Sequence, residues 1–178
     1  MRTLEQQITQ YAAYHRDRRN IATHFVGVPL IVFSVLMALV SFTAGPINVA
    51  LLALMAASVY YLILDRPLGF AMAASLFFGY LVAAYIGSHP GMSVATNLSL
   101  AAALFVIGWI IQFVGHKFEG VKPAFFDDVM GLAIGPLFVM TEAFFHFGLK
   151  PELRKYVEAR VGPTLAARNG ATIGPATQ

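Results

Sequence analysis

The order of apolar and polar residues divides the chain into long uncharged stretches separated by short polar turns. Four stretches lack charged residues: residues 25–45, 46–64, 67–88 and 91–115. Each is close to the roughly 20 residues that a helix needs to cross the apolar core of a bilayer. None alternates polar and apolar residues as a membrane-spanning strand does, so strands are not expected. The pattern therefore predicts an all-α protein, a polytopic membrane bundle of four transmembrane helices.

A fifth apolar stretch, residues 129–141, has only 13 residues, and a full span there would have to bury Glu142. Its length predicts a short re-entrant or interfacial helical segment. The chain becomes polar from Lys150 onward, which predicts a short helix near residues 152–160 and then disorder. We therefore expect a membrane-embedded domain over residues 1–150 and a partly disordered polar C-terminal tail over residues 151–178.

Composition supports a lipid environment. Hydrophobic residues make up 58% of the 178 residues and charged residues only 12%, whereas a typical soluble domain has about 25% charged residues. The first apolar stretch is long enough to span a membrane by itself, so no removable signal peptide is expected. The chain has no cysteine, which excludes disulfides and thiolate metal ligands. Nucleic acid is not an expected partner, because the basic residues flank apolar spans.

The basic residues predict how the chain is oriented. Four of the twelve precede the first span, one lies between spans two and three, and seven follow span four: Arg2, Arg16, Arg18, Arg19; Arg66; Lys117, Lys122, Lys150, Arg154, Lys155, Arg160 and Arg168. Basic residues remain on the cytoplasmic side of a membrane. With four spans all twelve lie on that side, which predicts cytoplasmic N- and C-termini. The expected location is a bacterial inner membrane, or the endoplasmic reticulum in a eukaryote.

Four of the five histidines lie on the same predicted cytoplasmic side: His15, His24, His116 and His146. His89, in the turn between spans three and four, lies opposite and is expected to be structural. Imidazole is the commonest metal-ligating side chain and suits iron, zinc, copper and nickel. Residues distant in the sequence thus gather at one membrane interface, which favours a metal site there.

His15 and His24 are nine residues apart and would face opposite sides of one continuous helix. A helix break between them would allow both rings to point inward. Asn20 is a suitable N-cap for a second helix, which would be joined to the first at residues 16–19. The alternative is that His24 is an interfacial residue and His15 a surface residue.

A second polar group forms a stripe at the end of the fourth span. Trp109, Gln112, His116 and Glu119 lie within about 80° of one another on a helix, and such a stripe usually faces the interior of a bundle. His116 and Glu119 could provide a nitrogen and an oxygen to one metal. Glu119 could instead hold the second nitrogen of a histidine. The alternative is an interfacial helix cap with Trp109 as a membrane-belt aromatic.

The third group brackets the fifth apolar stretch and consists of Asp127, Asp128, Glu142 and His146. Glu142 and His146 are four residues apart and could pair. A solvated or salt-bridged helix end explains them equally well. Gly131 and Gly135, also four residues apart, fit close helix packing.

Three blocks of residues together resemble a known family. They are His15-x4-Asn20-x3-His24-x2-Gly27-x-Pro29, then Trp109-x2-Gln112-x2-Gly115-His116-x2-Glu119-x3-Pro123-Ala124, then Gly135-Pro136-x5-Glu142. They resemble the fungal and bacterial 2-hydroxy-fatty-acid dioxygenase family, whose members are small polytopic membrane proteins. The resemblance covers residues 4–147 and leaves the tail outside.

The resemblance implies a non-haem iron dioxygenase, an oxidoreductase of fatty-acid α-oxidation with Fe(2+) as cofactor. Such an enzyme uses O2 to convert a 2-hydroxy fatty acid to a fatty acid one carbon shorter. The implied metal ligands are His15, His24 and His116, with Glu119 as a fourth catalytic residue. The expected substrate-binding residues are Asn20, Gln112 and Lys117, and Lys122, Arg18 and Arg19 are further cations available to hold the carboxylate.

Two other functions remain open on the sequence. A hydroxylase or desaturase with a two-metal site would need more histidines than the four on one face. A non-enzymatic membrane protein that binds or transports lipid is the main alternative. An ion pathway would place ionisable residues near the bilayer midplane, and the four spans contain none. The oligomeric state is not predicted.

Overall fold

The computed structural model describes residues 2–44, 46–121 and 130–166. These residues form seven helices: α1 (Leu4–Ala12), α2 (Arg18–Leu39), α3 (Val49–Leu64), α4 (Arg66–Gly87), α5 (Val94–Glu119), α6 (Gly131–His146) and α7 (Pro151–Val161). The predicted all-helical fold is therefore confirmed. The chain divides into two compact units, Met1–Val28 with Ile110–Gln178, and Pro29–Trp109. We call these the terminal unit and the central unit, and the division falls inside α2 and α5.

In the central unit, a short hairpin connects α2 to α3. Its strands, β1 (Thr43–Ala44) and β2 (Ile47–Asn48), pair antiparallel, with Thr43 opposite Asn48. No strand was expected from the sequence, and this pair is the exception. The hairpin lies at the break that the sequence predicts, and only two residues on each side pair in register. Asn48 then caps α3, because its side chain accepts the N–H of Ala50.

The break between α3 and α4 lies where the sequence predicts it, at Asp65. The Asp65 side chain accepts the backbone N–H of Leu68 and so caps α4. The two helices then pack against each other closely. A Cβ on Gly69 would lie 2.6 Å from the Cα of Leu62, so this position requires glycine. The α3–α4 pair thus depends on one cap and one glycine.

The core of the central unit is apolar. One cluster in it consists of Leu36, Met37, Ala50, Ala83 and Ala101, and Leu68 and Met72 are also buried. Large apolar side chains point outward instead, and the most exposed include Ile63, Phe70, Phe78 and Tyr85. A soluble domain rarely exposes so large an apolar surface. Apolar helices with apolar exteriors indicate membrane association.

Three helices have the length and composition of membrane spans, namely α2, α4 and α5, with 22, 22 and 26 residues. The second predicted span, α3, has 16 residues, or about 24 Å at 1.5 Å per residue, against an apolar bilayer core of about 30 Å. The consecutive helices α6 and α7 meet at a bend of 112°, and they raise the number of candidate spans to four if each bent pair is one span. The predicted four-span bundle with α3 as a member stays a prediction.

In the terminal unit, α1 begins with a capping box formed by Thr3 and Gln6. It packs against α6 and α7. A Cβ on Gly135 would lie 3.0 Å from the hydroxyl oxygen of Tyr11, so this glycine permits the close approach of α1 and α6. Glu142 lies within α6, which runs five residues beyond the predicted end at residue 141. The predicted short helix at residues 152–160 is confirmed as α7.

Candidate metal centre

The helix break that the histidine spacing requires is present, but it lies earlier than predicted. α1 ends at Ala12 and α2 begins at Arg18, so Asn20 lies inside α2 and does not cap it. The Asp17 side chain caps α2 instead, by accepting the backbone N–H of Arg19 at 2.8 Å. A carboxylate binds the positive end of a helix better than an amide does. The side-chain amide of Asn20 donates to Glu119 instead.

Three imidazoles converge across this break. The Nε2 atoms of His15 and His24 are 3.0 Å apart. One ring nitrogen from each of His15, His24 and His116 lies within 4.8 Å of the others, and all three residues are buried. Among the described residues, no carboxylate belongs to this converging set. The three rings come from the connection between α1 and α2, the second turn of α2 and the last turn of α5.

In His15 and His24, one ring nitrogen faces a backbone carbonyl and the other faces the neighbouring histidine. The hydrogen bond of the first nitrogen determines whether the second carries a proton. The Nδ1 atoms of His15 and His24 lie 2.7 and 2.8 Å from the carbonyl oxygens of Tyr11 and Asn20. A carbonyl oxygen only accepts, so each Nδ1 carries a proton, and in a neutral ring Nε2 then carries a lone pair. Two lone pairs therefore face each other at 3.0 Å. Such a contact is repulsive unless a cation lies between them.

The surroundings keep His15 neutral. Its ring is stacked on Tyr11 with centroids 4.2 Å apart and lies 5.2 Å from the ring of Phe138. Burial, followed by the proximity of His24 and His116, lowers the pKa of His15 well below its ordinary value. Burial also raises the pKa of Tyr11, so its phenol stays protonated. A neutral imidazole is the form that binds metal.

The donor set and its spacing fit a metal ion. A metal–imidazole bond is about 2.1 Å, so two nitrogens at right angles on one ion would be about 3.0 Å apart. The His15–His24 separation has this value. Three neutral imidazoles without sulfur suit iron, zinc, copper or nickel. His15, His24 and His116 are thus able to hold such an ion together.

Glu119 connects the end of α5 to the α1–α2 connection. Its Oε1 accepts the backbone N–H of Arg16 at 2.9 Å, and its Oε2 accepts the backbone N–H of Asp17 at 2.8 Å. Oε2 also accepts the side-chain amide of Asn20 at 3.0 Å. Glu119 thus binds the backbone immediately after His15. The sequence suggested a metal ligand or a partner of a histidine ring, and it did not indicate this backbone contact.

Arg16 joins the same connection to the C-terminal segment. Its Nε donates to the carbonyls of Ala12 and His15, and its Nη1 donates to the carbonyl of Gly162 at 3.0 Å. The backbone of Leu165 pairs with the connection, because its N–H donates to Arg16 at 2.7 Å and its carbonyl accepts from Arg18 at 2.9 Å. Residues 162–166, the C-terminal strap, therefore lie along the backbone that carries His15.

Two amide side chains lie beside His15, His24 and His116, which we call the triad. Both have atoms without a hydrogen-bond partner among the described residues. Gln112 is buried one turn before His116, and neither its Nε2 nor its Oε1 has a partner in the part of the chain that the structure describes. The Oδ1 of Asn20 is in the same situation. A Cβ on Gly115 would lie 2.5 Å from that Oδ1, so only glycine admits Asn20 here. The third expected substrate-binding residue, Lys117, is on the exposed face of α5.

The polar stripe on α5 is buried as predicted at Gln112, His116 and Glu119, and Trp109 is partly buried. Of the third group, the structure describes Glu142 and His146, and neither belongs to the three-histidine cluster. Glu142 lies 3.7 Å from the Nη2 of Arg16, whereas His146 is exposed. Asp127, Asp128 and Lys122 lie outside the described residues. His89 is exposed in its turn, with its ring directed to the carbonyl of Pro90.

Sequence reasoning missed four contributors to the centre: Tyr11, Arg16, Phe138 and the C-terminal strap. Tyr11 could have been found, because it precedes His15 by four residues at the end of an amphipathic helix. The others act through contacts between distant parts of the chain, and no local pattern signals them.

A buried three-histidine centre in an all-helical chain with membrane-length apolar helices defines the class, a membrane-associated protein with a candidate metal site. The chain belongs to the Mpo1-like family: the family model described as 2-hydroxy-palmitic acid dioxygenase Mpo1-like matches residues 1–147. The chain is also 33% identical over 160 residues to the Saccharomyces cerevisiae protein 2-hydroxy-palmitic acid dioxygenase MPO1, which covers 87% of each chain. No solved structure matches the chain. The family resemblance expected from the sequence motifs is thereby confirmed.

Proposed function

We propose that this protein is an Fe(2+)-dependent dioxygenase of fatty-acid α-oxidation. Its substrates would be O2 and a 2-hydroxy fatty acid, and its product a fatty acid one carbon shorter. Membership of the family and similarity to a protein named as a 2-hydroxy-palmitic acid dioxygenase support the choice of substrate. The observation that carries the proposal is the pair of Nε2 lone pairs facing each other at 3.0 Å beside a third imidazole.

The overall conversion balances without an external reductant. A 2-hydroxy acid, R–CHOH–COOH, and O2 give R–COOH, CO2 and H2O. The bond between C1 and C2 breaks, C1 leaves as CO2, and C2 becomes the new carboxyl carbon. The substrate supplies four electrons, which reduce one O2.

The proposed roles follow from the contacts. His15, His24 and His116 would hold the iron, and carbonyls behind His15 and His24 fix those two rings in the required tautomer. Bound Fe(2+) would supply open coordination positions for oxygen and for the substrate oxygens, which no side chain provides. Tyr11 and Phe138 exclude water from the face of His15.

The unpaired amide groups suit a 2-hydroxy acid. The hydroxyl both donates and accepts a hydrogen bond, and the carboxylate accepts several. Gln112 offers two donors and an acceptor, and Asn20 offers an acceptor at Oδ1. Leaving such groups unpaired costs about 1–3 kcal/mol each, so a polar ligand that pairs them would gain that energy. Lys117, at the end of α5, would reach only a carboxylate near the surface.

The site fits a membrane interface. His24 lies near the start of α2 and His116 in the last turn of α5, close to the basic residues that flank both helices. In the proposed orientation this end faces the cytoplasm together with both termini. An amphiphile could then present its polar head to the centre while its chain remains among apolar helices. We also propose that residues 1–150 form the membrane-embedded domain and residues 151–178 the polar tail.

The test uses full-length protein in detergent micelles loaded with Fe(2+) under anaerobic conditions. We expect one bound iron per chain, and on admission of oxygen we expect 14CO2 and pentadecanoate from 2-hydroxy[1-14C]palmitate. Palmitate without the hydroxyl should not react. His24→Ala should lose metal and activity, whereas His89→Ala, an exposed histidine in a distant turn, should keep both.

The opposite results are informative. Two bound iron ions per chain would indicate a two-metal enzyme. Full metal retention in His24→Ala would refute the proposal that His15, His24 and His116 hold the metal. Tight binding of 2-hydroxypalmitate with no oxygen consumption in the iron-loaded protein would leave a non-enzymatic lipid-binding protein as the function.

A further inference from the structure

The terminal unit contains a cavity that is not lined by the three histidines. Its volume is about 500 Å³, which is within the range of about 300–1,000 Å³ that small-molecule sites occupy. Its walls come from the start of α2, the end of α6, α7 and the C-terminal strap. None of His15, His24 and His116 lines it. Nothing proposed so far uses this space.

The charges in the cavity leave one cation available. Arg154 is paired with Glu158 at 2.8 Å, and the guanidinium of Arg16 lies 3.7 Å from Glu142. Arg18 also lines the cavity. The Arg18 guanidinium has no hydrogen bond or ion pair with the described residues, so it is available to an anion. Three arginines against two glutamates leave one net positive charge.

Part of the cavity lining is apolar. Ile21 and Phe25 follow Arg18 along α2, and Phe145 and Val157 face the same space from α6 and α7. Residues 18, 21 and 25 lie three and four apart and therefore share one face of the helix. A free cation at one end of an apolar strip complements an anion that carries a hydrocarbon chain.

We propose that this cavity binds the carboxylate end of a long-chain fatty acid, with Arg18 pairing the carboxylate and the first methylene groups against Ile21 and Phe25. The choice of ligand rests on the proposed function, because both substrate and product of that reaction are long-chain carboxylates. The site is a docking site separate from the metal centre, at the same end of α2.

Arg16 connects the docking site to the metal centre. Arg16 lines the cavity, and its Nε donates to the carbonyl of His15 at 3.0 Å. Thr164, in the C-terminal strap, lines the cavity from the other side. A ligand here would therefore contact the segment that holds the His15 backbone.

The experiment measures equilibrium binding of radiolabelled palmitate and 2-hydroxypalmitate to metal-free, full-length protein in detergent. Ala22 is exposed and lines the cavity, so Ala22→Trp should block it without disturbing the core. We expect binding at least about tenfold weaker in Ala22→Trp. Arg18→Gln should weaken binding about three- to fivefold, which is the scale of an exposed ion pair, and Arg18→Lys should restore it.

The controls separate the docking site from the metal centre. Lys155→Gln removes an equal charge from an exposed position of α7 outside the cavity lining, and it should bind palmitate as the wild type does. His24→Ala should lose metal but keep palmitate binding within about twofold. Ala22→Trp should keep its bound metal and its midpoint of thermal unfolding, with a raised KM for 2-hydroxypalmitate and little change in kcat.

Several results would overturn the docking site. Unchanged palmitate affinity in both Ala22→Trp and Arg18→Gln would contradict it. An equal loss of palmitate affinity in Arg18→Gln and Lys155→Gln would also contradict it. Displacement of labelled palmitate by phosphatidylglycerol at concentrations well below those needed of unlabelled palmitate would assign the cavity to a phospholipid headgroup instead. If the wild type binds palmitate but iron-loaded protein does not oxidise 2-hydroxypalmitate, the proposed function fails and the docking site remains.

Discussion

The two units of this protein bury different kinds of side chain. Of the thirteen buried polar or charged residues that the structure describes, ten lie in the terminal unit and three, Ser34, Ser58 and Asn97, lie in the central unit. The central unit has an apolar core, and it also exposes large apolar side chains such as Phe70 and Phe78, as expected in lipid. The comparison shows that hydrophobic burial suffices for one unit, whereas the other is organised around polar groups that are costly to bury.

The buried side-chain amides of Asn97 and Gln112 differ in whether their N–H groups are paired, although the Oδ1 of Asn97 has no partner among the described residues. In the central unit, the amide of Asn97 donates to the carbonyl of Met37 at 2.6 Å and to the hydroxyl of Ser41 at 2.9 Å, which ties two helices together. In the terminal unit, the amide of Gln112 has no such partner within residues 2–28, 110–121 and 130–166. We infer that Asn97 stabilises the fold, whereas Gln112 is kept for a ligand.

The largest effect is expected from His24→Ala. Loss of an outer hydrogen-bond partner of a metal ligand usually weakens metal binding 10- to 100-fold, and loss of a ligand itself should exceed about 100-fold. Titration with Co(2+), followed by its visible absorption, measures the change without any need for activity. Asn97→Ala is the matched control in the central unit, and it should lower stability by about 1–3 kcal/mol but leave Co(2+) affinity unchanged. Equal Co(2+) affinities in the two variants would contradict the assignment of the site to the terminal unit.

Glu119→Gln should have the next largest effect. It replaces one carboxylate oxygen by an N–H donor that faces the backbone N–H groups of Arg16 and Asp17. Hydrogen bonds to a charged group contribute about 1.5–3 kcal/mol, so we expect a comparable loss of stability and Co(2+) affinity reduced about 10- to 100-fold. Chemical unfolding and Co(2+) titration provide the two measurements.

Glu152→Gln serves as the control for charge, because Glu152 is exposed on α7 and should tolerate the change. A Glu119→Gln protein that unfolds like the wild type would show that the carboxylate does not hold the α1–α2 connection.

A smaller effect is expected at the C-terminal strap. Leu165→Pro removes the N–H that donates to Arg16 at 2.7 Å, whereas Leu165→Ala keeps it. One hydrogen bond contributes about 0.5–1.5 kcal/mol, so Leu165→Pro should destabilise the protein by that amount and speed metal release several-fold. Leu165→Ala should do neither, because this side chain is 36% exposed. The rate of metal release to a chelator, measured for both variants, tests this prediction. Identical rates would exclude a role for the C-terminal strap in retaining the metal.

The smallest effect, and one of opposite sign, is expected at Gln112. Gln112→Met removes an unpaired buried amide at similar volume, so we expect the ligand-free protein to become more stable by about 1 kcal/mol. Turnover of 2-hydroxypalmitate should fall at the same time. Thermal unfolding of the ligand-free protein gives the stability. A lower unfolding midpoint in Gln112→Met would mean that the amide supports the fold, as Asn97 does.

Much of the architecture followed from local pattern. The uncharged apolar stretches became helices, and the break at Asp65 and the short helix α7 lie where the sequence places them, because helix formation and capping depend on neighbouring residues. Local periodicity also placed Gln112, His116 and Glu119 on one buried face of α5. The sequence thus determined which residues face inward and at which end of the helices they lie.

The tertiary structure decided what holds these residues in place. Asp17 rather than Asn20 caps α2, since Asn20 donates to a carboxylate 99 residues away. Glu119 contacts the backbone of Arg16 across 103 residues, and Arg16 contacts Gly162 across 146. Contacts over such separations leave no periodic trace in the chain. They depend on which surfaces meet when the helices pack, and that is a property of the folded molecule alone.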